Sequence, residues 1–137
     1  MPRCRVTRRV HFNAAHRLYN PNFSDEWNLA TFGKCANPNF HGHNYELDLT
    51  VEGEIEAETG YVFDLTLLQQ LAEERVIRHL DHTNLNVDVP WFQDLNPTAE
   101  NIAVVCWRQL CPALPQGIAL RVRLWETPRN YVEYEGG

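Results

Sequence analysis

Three of the six histidines stand where they could hold a metal ion. His41 and His43 are two residues apart, and His16 precedes them in a segment of the same alternating character. His16 lies on the apolar parity at the C-terminal end of one predicted strand. His41 and His43 lie on the apolar parity at the N-terminal end of the next. In an antiparallel hairpin those two ends are neighbours, so three imidazoles converge at one end of a sheet. Neutral imidazole suits Zn2+, and three protein ligands leave a fourth position open for water or substrate. Structural zinc sites usually close all four, so the pattern is that of a catalytic metal. A His-x-His pair alone is commonly a surface feature; the third histidine makes the difference here. An imidazole on an apolar face with neither ligand nor partner would be destabilising. His11 falls on the charged parity and His79 near a helix C-terminus, and neither is assigned to the site.

Four other residues carry chemistry. Glu126 sits on the apolar parity of a later strand. It is either a strand-end carboxylate that reaches water or one that receives guanidine-like N–H groups of a ligand. Asp81-His82 is either a polar loop pair or a relay in which the carboxylate orients the ring and holds its charge. Cys35 precedes His41 by six positions and is either an idle thiol or a general base near a metal. Cys4, Cys106 and Cys111 suit core or edge packing.

The elements that must position these groups are legible as periods. Residues 3–17 alternate, with Cys4, Val6, Val10, Phe12, Ala14 and His16 on one parity, interrupted by Arg8. Residues 19–40 show no period and predict a long loop, which in a small domain usually has a function. A second strand starts near His41, with Tyr45, Leu47, Leu49 and Val51 on the histidine face. Asp64 predicts an N-cap, followed by a helical stripe of Leu65, Leu68, Leu71, Ala72, Val76 and Leu80 that ends near His79. Residues 81–96 predict a second loop. Asn96-Pro97-Thr98-Ala99-Glu100 reads as a second helix start with Pro in its first turn, and Cys111-Pro112 ends that helix. Ile118, Leu120, Val122 and Leu124 form a third strand that Glu126 continues, and Tyr131 to Glu135 form a fourth. The order ββααββ predicts an α+β domain, a four-stranded antiparallel sheet with two helices on one face. Arg3, Arg5 and Arg9 oppose Glu46, Asp48 and Glu52 on the other face. The strands contain no proline to blunt the two sheet edges, which predicts pairing with further copies of the chain.

Composition bounds the rest. At 137 residues, 44% hydrophobic and 22% charged, the chain reads as one soluble globular unit. The net charge of −6 argues against a nucleic-acid partner, and no apolar run approaches a membrane span. Met1-Pro2-Arg3-Cys4-Arg5 is followed by no apolar segment of signal-peptide type. Four scattered cysteines without a C-x-x-C pair point to reduced thiols and a cytoplasmic protein. The cations are eleven arginines and Lys34, so an anion site would mostly use guanidinium forks.

These residues also resemble a known family. Phe12-Asn13-Ala14-Ala15-His16-Arg17-Leu18 is similar to the first motif of the 6-pyruvoyl-tetrahydropterin synthase and 6-carboxy-tetrahydropterin synthase family. Cys35-Ala36-Asn37-Pro38-Asn39-Phe40-His41-Gly42-His43-Asn44-Tyr45 resembles its central motif. Leu80-Asp81-His82-Thr83-Asn84-Leu85-Asn86, Asn96-Pro97-Thr98-Ala99-Glu100-Asn101 and Trp125-Glu126-Thr127 resemble three more, in family order. The resemblance implies a single tunnelling-fold (T-fold) domain over residues 1–137. Three such sheets close into a barrel and two trimers stack into a hexamer, with active sites at subunit interfaces.

It further implies a zinc-dependent carbon–oxygen lyase acting on 7,8-dihydroneopterin triphosphate. His16, His41 and His43 would bind the zinc. Cys35 would accept the proton, and Asp81 and His82 would complete its relay. Glu126, counted both as anchor and in the relay, would hold the pterin ring, with Thr98 and Glu100 lining the same pocket. No nicotinamide or flavin is implied, because the redox change is internal to the substrate. The expected product is 6-pyruvoyl-tetrahydropterin with loss of triphosphate. The alternative is the 6-carboxy-tetrahydropterin outcome of queuosine synthesis, which releases acetaldehyde. A third reading is a zinc- and pterin-binding protein of the same fold without turnover. Arg17 and Lys34 lie near the loop where a triphosphate would be held. Phe40 is bulkier than the residue usual before the first histidine of the central motif, and it would narrow the mouth of the site.

Overall fold

The computed structural model describes residues 2–137. Met1, the first residue of the segment read above as lacking a signal peptide, lies outside them. Two long strands form the backbone of the fold, β1 (Arg3–His16) and β2 (His41–Glu54). Between them lies α1 (Asp25–Phe32), followed by a short 3-10 turn, Gly33–Ala36. After β2 come α2 (Leu65–Ala72), a π-helical turn at Glu73–Ile77, and α3 (Arg78–Leu80). Then follow β3 (Thr83–Asn84), α4 (Leu85–Asp88), α5 (Ala99–Leu110), β4 (Ala119–Thr127) and β5 (Asn130–Tyr134). Among the described residues no helix is long and apolar enough to cross a membrane.

The α+β class and the two predicted helices are as the periods require. Alternation puts Val10, Phe12, Ala14, Tyr45, Leu47, Leu49, Val51, Leu120, Val122 and Leu124 on one face of the sheet, all buried. Leu68, Ala72, Val76 and Leu80 cover that face from the α2–α3 segment, and Ile102, Ala103, Cys106 and Leu110 cover it from α5. Asp64 caps α2, its carboxylate accepting the Thr66 N–H at 2.9 Å. On the opposite face Arg9 stands directly across from Asp48 and binds it at 2.6 Å, and Arg5 stands across from Glu52. Such exposed pairs contribute about 0.2–1 kcal/mol each, so they set register more than stability.

Four details differ from the sequence reading. The sheet has five strands in the order β3-β1-β2-β4-β5, and β3 runs parallel to β1. Two residues are too few to show a period. They are held by the Ala14–Thr83 and Ala15–Asn84 pairing and by the His82 N–H donating to the Asn13 carbonyl at 2.7 Å. Residues 19–40 are not all loop, because they contain α1, which Ser24 caps through the Trp27 N–H and Gly33 ends at φ +58. Residues 81–96 likewise hold β3, α4 and a 3-10 turn at Pro90–Phe92. Finally, Pro97 precedes the α5 cap instead of sitting in its first turn; Thr98 is the cap, and its hydroxyl accepts the Asn101 N–H.

Candidate active site

The β1–β2 register decides where the histidines meet. His16 pairs with His41, Ala14 with His43 and Phe12 with Tyr45, so all three imidazoles project from the core face at one end of the hairpin. Their ring centroids are 4.5, 5.1 and 5.0 Å apart, and one nitrogen from each lies within 4.8 Å of the others. His16 is fully buried. Its Nδ1 lies 2.7 Å from the Pro97 carbonyl, which can only accept, so Nδ1 carries the proton and Nε2 keeps its lone pair. Among the described residues, His16 Nε2, both nitrogens of His41 and His43 Nε2 are buried without a hydrogen-bond partner. Buried polar atoms in a native fold are nearly always paired, so three neighbouring imidazoles that each carry an orphaned nitrogen form a possible metal ligand set, one nitrogen from each. Three imidazoles fit zinc.

Carboxylate and thiol stand around this cluster. Glu126 Oε2 lies 3.9 Å from His16 Nε2, and the side chain is one quarter exposed. With His43, Trp125, Thr127 and Arg9 it lines a cavity of about 560 Å3. Cys35 follows α1 in the 3-10 turn and is half-buried. Burial pushes its thiol pKa up, and the negative charge of Glu126 adds to the shift. Tyr45, buried beneath the cluster with its hydroxyl 3.4 Å from His16 Nδ1, is raised by burial first and by Glu126 second.

Asp81 and His82 form the expected pair, with His82 Nδ1 2.9 Å from the Asp81 carboxylate. The Asn13 N–H, at 2.9 Å, is the main cause that holds the Asp81 carboxyl below its usual range, and His82 contributes. His82, in a left-handed conformation at φ +60 and largely exposed, lines a hollow of about 280 Å3 with Asn13, Ala15 and Asn44. Among the described residues no hydrogen bond joins this pair to Cys35. Thr98 is engaged as the α5 cap and Glu100 is exposed on the first turn of α5. The sequence reading did not single out Pro97 as an orienting group. A backbone carbonyl leaves no mark in residue type. Tyr45 was legible, since it shares the parity of His41 and His43.

Burial pulls the His16 pKa down from 6.5 to about 4, and His41 shifts down for the same reason. In metal-free protein the unfolded chain takes up a proton near pH 6.5, whereas folded His16 does so only near 4. Stability is therefore lost as pH falls through that window, by about 2 kcal/mol at pH 5 from His16 alone. Urea titration of metal-free protein should give a lower midpoint at pH 5 than at pH 7.5. An unchanged midpoint would contradict a buried neutral imidazole.

Known proteins match the chain over nearly its whole length. The family model described as 6-pyruvoyl tetrahydropterin synthase matches residues 5–137. A human 6-pyruvoyl tetrahydrobiopterin synthase is 50% identical over 131 residues, covering 96% of this chain and 90% of the relative. A 6-carboxy-5,6,7,8-tetrahydropterin synthase from Rickettsia bellii is 28% identical, covering 94% of this chain and 98% of the relative. The solved structure of Caenorhabditis elegans 6-pyruvoyl tetrahydropterin synthase superposes with a TM-score of 0.94 at 37% identity, covering 100% of this chain and 98% of the other.

Proposed function

The chain belongs to the 6-pyruvoyl tetrahydropterin synthase family and is a lyase acting on a pterin, and from that premise we propose that it converts 7,8-dihydroneopterin triphosphate to 6-pyruvoyl-tetrahydropterin with elimination of triphosphate, as a zinc enzyme. The observation that carries this reading is the set of orphaned imidazole nitrogens beside a carboxylate that opens into a cavity. The 50% identity to the human pyruvoyl enzyme, against 28% to the Rickettsia carboxy enzyme, supports the pyruvoyl product.

His16, His41 and His43 would hold the metal, with the Pro97 carbonyl fixing the His16 tautomer. Zinc bound there supplies Lewis acidity and a template for the hydroxyls of the substrate side chain. Glu126 receives the exocyclic amine and ring N–H of the pterin; Thr98 and Glu100 do not line the Glu126 cavity of the single chain, and their proposed place in the pterin pocket rests on the family resemblance alone. Cys35 takes the proton from the substrate side chain at Sγ. Burial and Glu126 hold Cys35 as a thiol in the isolated chain, so it needs a base to become a thiolate. The Asp81–His82 pair is suited to that task. Its exposed place at the β3 edge suits delivery from a neighbouring copy, with the active site between subunits. Open strand edges support such assembly: among the described residues, β1 from Arg3 to Asn13 pairs only with β2, and β5 only with β4. We read the whole as one domain assembled as a hexamer, a dimer of trimers. The four free cysteines favour a cytoplasmic setting.

The test is product analysis of zinc-loaded protein given 7,8-dihydroneopterin triphosphate. The expected result by mass spectrometry is 6-pyruvoyl-tetrahydropterin and triphosphate. A 6-carboxy product with acetaldehyde would replace the pyruvoyl reading with the carboxy one. Tight zinc and pterin binding without turnover would overturn both.

A further inference from the structure

Phe40 is held in the left-handed region, at φ +67. That region crowds Cβ against the backbone, and a bulky side chain there is an outlier. The turn itself does not ask for phenylalanine. It is closed by the Phe40 N–H donating to the Asn37 carbonyl at 3.0 Å and by the Asn39 N–H donating to Asn37 Oδ1 at 2.9 Å. Glycine would make the same bonds without strain. The side chain is therefore to be explained by what it touches. Phe40 is half-buried and, with Arg17, Tyr19, Asn86, Asp94 and Asn96, lines a cavity of about 620 Å3.

Position gives that cavity its meaning. Arg17 follows His16 and Phe40 precedes His41, and those two histidines face each other across β1 and β2. The cavity thus begins one residue beyond the histidine cluster on both strands. The other cavity, lined by Glu126, reaches the cluster through His43. With its ring at Glu126 and its middle at the histidines, as proposed above, a long ligand would next reach the cavity at Arg17 and Phe40. Arg17 is pinned for an anion, its Nε donating to the Ala36 carbonyl at 2.8 Å and its guanidinium lying 3.9 Å from the Tyr19 ring centroid. Asp94 lines the same cavity, so fit must come from shape as well as from the cation.

We propose that Phe40 is a specificity-determining residue, its ring forming the wall that directs the phosphorylated arm of the substrate into the Arg17 cavity. This rests on the reading that the substrate is a pterin triphosphate held at Glu126. The test compares wild type, Phe40→Gly and Phe40→Ala on the triphosphate and the monophosphate of 7,8-dihydroneopterin, with zinc content and melting temperature measured in parallel. Both variants should keep stoichiometric zinc. Both should raise KM for the triphosphate and shrink its kcat/KM advantage over the monophosphate by about tenfold, as loss of a shaped apolar contact does. Phe40→Gly should melt above Phe40→Ala, because only glycine relieves the backbone. A Phe40→Gly protein with wild-type KM and wild-type preference would overturn the proposal, whatever Phe40→Ala does. Loss of zinc from both variants would also overturn it, since Phe40 would then serve His41. Absence of turnover in the wild type is a different failure, which removes the functional reading and this inference with it.

Discussion

Cys35→Ala is expected to keep zinc and bind pterin while losing turnover by about 10²–10⁴-fold, the usual contribution of a positioned proton acceptor. The expectation follows from where the thiol stands. Cys35 is outside the three-imidazole cluster, so its removal leaves every metal-facing nitrogen in place. It is half-buried in a 3-10 turn whose backbone bonds do not involve its side chain, so alanine should fold. What disappears is Sγ, a group near enough to Glu126 to feel its charge. The measurement is single-turnover rate together with zinc content and pterin titration. Unchanged turnover would remove Cys35 from the chemistry, whereas lost pterin binding would make it a contact instead of a base.

His41→Ala should abolish stoichiometric zinc and with it activity, through a loss of metal affinity beyond the 10–100-fold typical of a supporting residue. Both nitrogens of His41 are buried without a partner among the described residues, so the ring is left to satisfy a ligand. A buried unpaired polar group costs about 1–3 kcal/mol, so the metal-free variant should be at least as stable as metal-free wild type. The order reverses with zinc present, because binding to the native state stabilises only the protein that binds. Metal analysis and melting curves with and without zinc read both arms. A His41→Ala protein with stoichiometric zinc and full activity would end the metal assignment.

Much of this site was legible because strands have a period of two. Parity alone put His16, His41 and His43 on one face with Tyr45 and Leu47, and it put Glu126 in line with Leu120, Val122 and Leu124. Helix α1 was not legible, for a reason visible in its packing. Its buried residue is Asn28, which binds the carbonyls of Asn20, Phe23 and Ser24, while Trp27 and Leu29 are exposed. A helix anchored by an amide instead of an apolar stripe leaves no 3.6-residue signal. Strand β3 was too short to see. The sequence placed Asp81 beside His82 but could not say on which side of β1 they would lie, because that depends on a two-residue parallel pairing. Phe40 was visible as a residue type, but its backbone conformation was not.

The bond from His16 to the Pro97 carbonyl has a consequence for the order in which the protein matures. During synthesis the three histidines, all within residues 3–54, leave the ribosome before the helices that cover their strands. Residue 97, which fixes the protonated nitrogen of His16, arrives much later. It arrives beside Thr98, the residue that starts α5. The tautomer of His16 is therefore set only once the segment leading into α5 has docked. In this sense the geometry of the histidine cluster belongs to the finished fold and not to the β1–β2 hairpin alone.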